Sequence, residues 1–152
     1  ADMIVNSENP PIFIGRGGFS SYVSKEGALK MMEVSYIPCM AIPGGELKHG
    51  PIALITEGSP VIALAPTDSK LSLMESSIRE CRSRGAKIIL ISDNEGAITQ
   101  FSDILIQTHP THEFLSPLTH VLPLQLLAYR VGISRGINVD RPRNLAKSVT
   151  VN

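Results

Sequence analysis

Short apolar runs bounded by glycine and proline alternate with longer stretches whose apolar residues recur at helical spacing. That alternation predicts an α/β layer fold with a mainly parallel sheet. Pro11-Ile12-Phe13-Ile14 reads as a first strand and runs into the turn Gly15-Arg16-Gly17-Gly18. A helix is predicted over 20–36. A short strand over 39–42 stops at Pro43-Gly44-Gly45, and 47–55 reads as a short helix broken by Pro51. Gly58-Ser59 turns into a strand over 60–65. Asp68 is placed as the N-cap of a helix running to Arg84, with Gly85 as its stop. Strands follow over 87–92 and 103–107. Pro117 then opens a helix to about Ser134, which Pro123 is expected to kink. This order predicts a three-layer sandwich with a flavodoxin-like sheet, and ligands in such sheets bind at the carboxyl ends of the strands.

Composition narrows the picture. The 152 residues suit one domain, 1–152, with no repeat or linker. Hydrophobic residues make up 43% and charged residues 18%, as in a globular chain. Fourteen basic residues balance fourteen acidic ones, so no nucleic-acid partner is expected. No apolar run approaches the roughly eighteen residues of a membrane span, and no signal peptide opens the chain. Cys39 and Cys81 read as ordinary buried thiols, with a disulfide as the minor alternative, and the expected compartment is cytoplasmic. The opening Ala1-Asp2-Met3 has no initiator methionine, so the chain reads as a piece of something larger.

The end of the chain carries the first chemical signal. Residues 141–152 have no low-complexity composition and finish in a β-branched run that favours packing on a surface. Lys147 supplies the segment's amine, between small residues, as in a tail folded back over a site. Lysine is the side chain that forms Schiff bases with carbonyl substrates. A solvated tail lysine is the competing reading.

Glu26, Lys30 and Glu33 fall at i, i+4 and i+7 and share one helix face, while Ala28, Met31 and Met32 are placed on the core side. Lys30 between two carboxylates would keep Glu33 ionised, as a proton-abstracting base requires. The same spacing also describes an exposed face with ordinary ion pairs. His49, on a glycine-bounded loop, is either an acid–base group or an exposed loop residue. Gly15 to Gly18 forms a phosphate cradle or, as the incomplete fingerprint favours, a tight turn. His109, His112 and Glu113 follow a strand end rather than one helix face, and no metal is expected there.

Glu26-Gly27-Ala28-Leu29-Lys30, Glu33-Val34-Ser35-Tyr36 and Gly45-Glu46-Leu47-Lys48-His49-Gly50-Pro51 resemble the second sugar-isomerase domain of the glucosamine-6-phosphate synthase family. Pro123-Leu124-Gln125-Leu126-Leu127-Ala128-Tyr129, Asp140, and the run from Pro142-Arg143-Asn144-Leu145 through Ala146-Lys147 to Val151 continue the match in order. The resemblance implies that ammonia from glutamine is delivered to fructose 6-phosphate, giving glucosamine 6-phosphate. It implies that Lys147 forms the Schiff base and that Glu33 moves the proton between C1 and C2. His49 would assist ring opening from a neighbouring subunit. Lys30 and Glu26 would surround the base and the opened sugar, and Ala146 would offer backbone contacts beside the lysine. Asn152 stands where many family members end in glutamate, with little expected consequence.

The resemblance further implies a tail, about 137–152, folded over the active site, no cofactor and a homodimer. It also implies partners in cis, a glutaminase domain and a first isomerase domain. The latter carries the family's serine- and threonine-rich phosphate loop, which has no equivalent here, so the chain alone is expected to turn over little. A non-catalytic sugar-phosphate sensor is the alternative, and it would not need Glu33, His49 and Lys147 together. A self-contained single-domain isomerase would need a phosphate loop that the turn at Gly15 to Gly18, followed only by Ser20 and Ser21, does not supply.

Overall fold

The three central apolar runs are strands covered on both faces, which is why they read as continuous rather than alternating hydrophobic stretches. A computed structural model describes residues 1–145. Its strands are β1 (Ile12–Gly15), β2 (Met40–Pro43), β3 (Pro60–Leu64), β4 (Lys87–Ser92) and β5 (Ile104–Gln107). Neighbouring strands all pair in parallel, in the order β2-β1-β3-β4-β5. That is the flavodoxin-like order. The helices are α1 (Asp2–Val5), α2 (Gly18–Ser35), α3 (Leu71–Arg82) and α4 (Ser116–Ser134).

The two-residue period of the strands sorts the core into two halves. Ile12, Ile14, Val61, Ala63, Ile88 and Leu90 pack with Met74, Ile78 and Cys81 of α3. Phe13, Ile62, Leu64, Ile89 and Ile91 pack with Ala28 and Met31 of α2 and with Leu124, Leu127 and Val131 of α4. Each fully buried aliphatic side chain stabilises the fold by about 1.5–3 kcal/mol relative to exposure. The result is the expected three-layer sandwich.

Local chemistry moved several boundaries. Asp68 does not cap α3. Its carboxylate accepts the N–H of Lys70 at 2.7 Å, closing a turn, and the helix starts at Leu71 with Lys70 at its N-cap. The segment after β2 is two 3-10 turns, Leu47–His49 and Pro51–Leu54, divided at Gly50 as Pro51 suggested. α4 continues through Pro123 as one helix. Met32 is 38% exposed although Met31 beside it is fully buried. One residue turns a helix by about 100°, and that step carries Met32 off the sheet-facing stripe.

Asp103, just before β5, ties that edge strand down. Its carboxylate accepts the N–H of Ile88 at 2.7 Å and pairs with Arg82 and with Lys87, the latter at 3.5 Å. Burial pushes its pKa up, but that hydrogen bond and the two cations outweigh it and hold the carboxyl below the usual carboxylate range. The unfolded chain therefore binds this proton more readily. The stabilisation is full above the unfolded value of about 3.9 and is lost as pH falls through the lower folded value. Asp103→Asn is expected to lower stability by about 1–2 kcal/mol at neutral pH and to narrow that gap in acid. Urea unfolding at both pH values measures it; an equal deficit at both would refute the account.

Candidate active site

α2 positions the charged set. Lys30 Nζ lies 2.6 Å from Glu33 Oε2 and 3.5 Å from Glu26 Oε1, and all three side chains are partly exposed. The hydrogen bond with Glu33 is the main reason the Lys30 pKa is raised; burial opposes it and Glu26 adds to it. Lys30 therefore stays an ammonium through the neutral range. Of this set Lys30 borders a cavity of about 240 Å³, lined also by Val34 of α2, Gln125 and Tyr129 of α4, and Val139 and Asp140. An ammonium at the rim of such a groove, paired with a carboxylate on the same helix, can hold a polar ligand.

The groove is built by close approach of α2, α4 and the chain after α4. A Cβ at Gly132 would lie 2.6 Å from the carbonyl oxygen of Val34 and 2.7 Å from Val139 Cγ1, so glycine permits that packing. The Arg135 guanidinium donates to the Ser35 carbonyl at the end of α2. Further on, the Arg143 N–H donates to Tyr36 Oη at 2.7 Å, and the Arg143 guanidinium lies 4.2 Å over the Tyr36 ring. Residues 135–143 are thus returned to the end of α2 that bears Lys30 and Glu33. Ala146 and Lys147 lie outside the described residues.

The topology sets the charged residues apart from the carboxyl edge of the sheet. α2 leaves β1 at the carboxyl edge of the sheet and must reach the opposite edge before β2 begins. At 1.5 Å per residue, Glu33 stands about 22 Å along the axis from Gly18. The charged set is therefore far from the strand carboxyl ends where ligands were expected. His49 is on the other side. It follows β2, whose exit is pinned to β1 by the Gly44 N–H donating to Gly15 O at 2.8 Å. Leu47 is fully buried and Lys48 Nζ reaches Glu80 Oε1 at 2.8 Å, while His49 is exposed. One copy of the chain brings Glu26, Lys30 and Glu33 together and leaves His49 apart from them.

The other candidates resolve simply. The Gly15 to Gly18 segment is a tight turn: the Arg16 N–H donates to Ser20 Oγ at 3.0 Å, and the Arg16 guanidinium donates to Ser77 Oγ at 2.8 Å. Among the described residues no group of three metal-ligating side chains occurs, and His112 stacks on Phe114. Cys39 and Cys81 are free thiols that burial pushes up to about 12. No described helix is long and apolar enough to cross a membrane. Sequence reasoning passed over Tyr36 and Arg143 as contacts, and also His120, which is buried with Nδ1 at 2.8 Å from the Ser116 carbonyl.

Sheet order and layers define an α/β sugar-isomerase fold. Residues 5–135 match the SIS domain, and the chain belongs to the SIS domain family. It is 49% identical over 139 residues to the glutamine–fructose-6-phosphate aminotransferase (isomerizing) of Thermococcus kodakarensis, covering 91% of this chain and 23% of that protein. The Bordetella pertussis protein of the same name is 45% identical over 152 residues, covering 99% and 25%. Among solved structures, the C-terminal domain of glucosamine-fructose-6-phosphate aminotransferase from Francisella tularensis has a TM-score of 0.83 and 39% identity, covering 92% of this chain and 39% of that one. The chain spans about a quarter of the length of the curated relatives it matches.

Proposed function

We propose that this chain is the C-terminal isomerase domain of a cytoplasmic enzyme that makes glucosamine 6-phosphate from fructose 6-phosphate and glutamine-derived ammonia. The observation that carries the reading is the Lys30–Glu33 pair beside a groove to which residues 135–143 return, four residues short of Lys147. Four extended residues span at most about 14 Å, which bounds the chain length between Arg143 and Lys147.

The chemistry follows from the residue types. A neutral Lys147 amine adds to the C2 carbonyl of the opened ketose and water leaves, giving an imine. Ammonia adds at C2 and the lysine amine departs, so the new nitrogen stays on the sugar. The iminium acidifies the C1 proton. Glu33 takes that proton and returns it to C2, leaving a 2-amino aldose. Lys30 neutralises the carboxylate's surroundings, Glu26 holds Lys30 from the other side, and Ala146 offers backbone contacts beside the lysine. No metal or organic cofactor enters these steps.

His49 serves ring opening in a neighbouring copy, a role supported by its separation from Glu33 along α2. A two-fold dimer gives each site one such histidine. Leu118, Leu122, Leu126 and Ile133 leave an apolar stripe exposed along α4, suited to cover by a second copy or by a preceding isomerase domain. The sugar-phosphate anchor is assigned to a preceding isomerase domain, and remote phosphate contacts supply much of the binding energy for a small substrate. The full-length polypeptide is therefore expected to form glucosamine 6-phosphate from fructose 6-phosphate and glutamine, and the 152-residue chain supplied with ammonia is expected to form little or none. Product formation by the isolated chain would refute the division of the site. Absence of product with the full polypeptide would refute the function.

A further inference from the structure

We infer that Glu80 of α3 is a positioning residue for His49: through Lys48 it holds the turn that carries the histidine, and so sets how that side chain is presented to a neighbouring copy. The inference rests on the role proposed for His49 above and assigns the part that orients it. Glu80 acts through its neighbours rather than on the sugar.

The loop after β2 is docked on α3 at three points. Ser77 Oγ donates to the Gly44 carbonyl at 3.1 Å, Leu47 is buried in the same half of the core as Ile78 and Cys81, and Lys48 Nζ lies 2.8 Å from Glu80 Oε1. Ser77 and Glu80 are three residues apart, so one face of α3 makes the first and last of these contacts. The His49 N–H donates to the Glu46 carbonyl at 3.1 Å, which ties the histidine's own backbone into the turn. Gly50 follows at φ +134, a conformation suited to glycine, and divides this turn from the next. The Lys48–Glu80 pair is therefore the side-chain contact next to His49, whose own side chain is exposed.

Glu80 is a costly residue to place here. Its Oε2 is buried without a hydrogen-bond partner among the described residues, while Oε1 accepts from Lys48 and, at 3.3 Å, from Ser76 Oγ. A buried carboxylate oxygen left unpaired lowers stability. The ion pair offsets little of that, because the Lys48 side chain is 64% exposed and its ammonium keeps much of its water. Stability alone does not account for a carboxylate at this position; holding Lys48, and with it the turn, does. A histidine that must meet a sugar held by another copy has to arrive in one geometry, and small misplacements there are costly in rate.

The test uses the full-length polypeptide as hybrids in which one copy carries Glu33→Gln and the other His49→Ala. The working site of such a hybrid takes its base from the His49→Ala copy and its histidine from the Glu33→Gln copy. Glu80→Gln keeps the size of the side chain and removes its charge. On the histidine-donating copy it should lower glucosamine 6-phosphate formation about threefold to tenfold. On the base-donating copy it should change nothing. Both arrangements contain one altered Glu80, so a general loss of folding would lower them alike. Lys48→Met should show the same one-sided loss, and Lys48→Arg, which keeps a cation for Glu80, should retain most of the activity. Equal loss in the two arrangements, loss confined to the base-donating copy, or no loss in either would overturn the positioning role while leaving the function intact. No activity in the hybrid with Glu80 unaltered would overturn the shared-site reading of His49 and the inference with it.

Discussion

Glu33→Gln in the full-length polypeptide is expected to lower kcat for glucosamine 6-phosphate formation by about 10²- to 10⁴-fold, the range for loss of a positioned general base. The amide keeps the size of the carboxylate but cannot take the C1 proton. Lys30 retains Glu26, 3.5 Å away, so the helix face stays paired and the fold should survive. KM should change little, because the proposed function assigns the phosphate anchor to a preceding domain. A variant within a few-fold of the unmodified kcat would remove Glu33 from the mechanism. The same variant also tests the subunit arrangement. Co-expressed with inactive His49→Ala, it should recover activity, since a hybrid dimer then holds one site with an intact base from one copy and an intact histidine from the other. Random pairing gives about one quarter of the unmodified activity for a closed two-fold dimer. No recovery would place His49 outside a shared site.

Gly15→Ala should damage the fold more than any surface change. A Cβ there would stand 2.2 Å from the Ser20 carbonyl oxygen and 2.7 Å from the Ser21 nitrogen, both backbone atoms that cannot rotate away. Gly15 also pairs with β2 and β3, and its carbonyl accepts from the Gly44 N–H and from Ser21 Oγ. Relief would have to shift the start of α2, which carries the whole charged set. Overpacking of this kind destabilises by about 3 kcal/mol or more, lowering Tm by roughly 6–12 °C for a chain of this size. Gly18→Ala is the control. Gly18 has φ +47, but beyond its own helix and chain neighbours no atom of the described residues lies within 4 Å of the added methyl, so only backbone strain of about 1 kcal/mol applies. Equal loss in the two variants would contradict the close approach at the β1–α2 turn.

The central strands were legible because β3 and β4 are buried on both faces, so their apolar runs admit few other readings. Sheet order followed from the alternation of strand and helix. The start of α3 was not legible, because an aspartate closes a turn with the same side chain it uses to cap a helix; at Asp68 the turn won. The Glu26, Lys30 and Glu33 set was visible from spacing alone, since those residues are neighbours on any helix. Its distance from His49 needed the topology, which sends α2 away from the edge where His49 lies. The Tyr36–Arg143 contact was invisible for a different reason: its partners are 107 residues apart, and no local period links them.

The most direct test is to reduce a mixture of fructose 6-phosphate and the full-length polypeptide with borohydride and to locate the adduct by peptide mass spectrometry. The account predicts a single adduct on Lys147, lost in Lys147→Arg together with product formation. An adduct on another lysine, or turnover with none at Lys147, would contradict it.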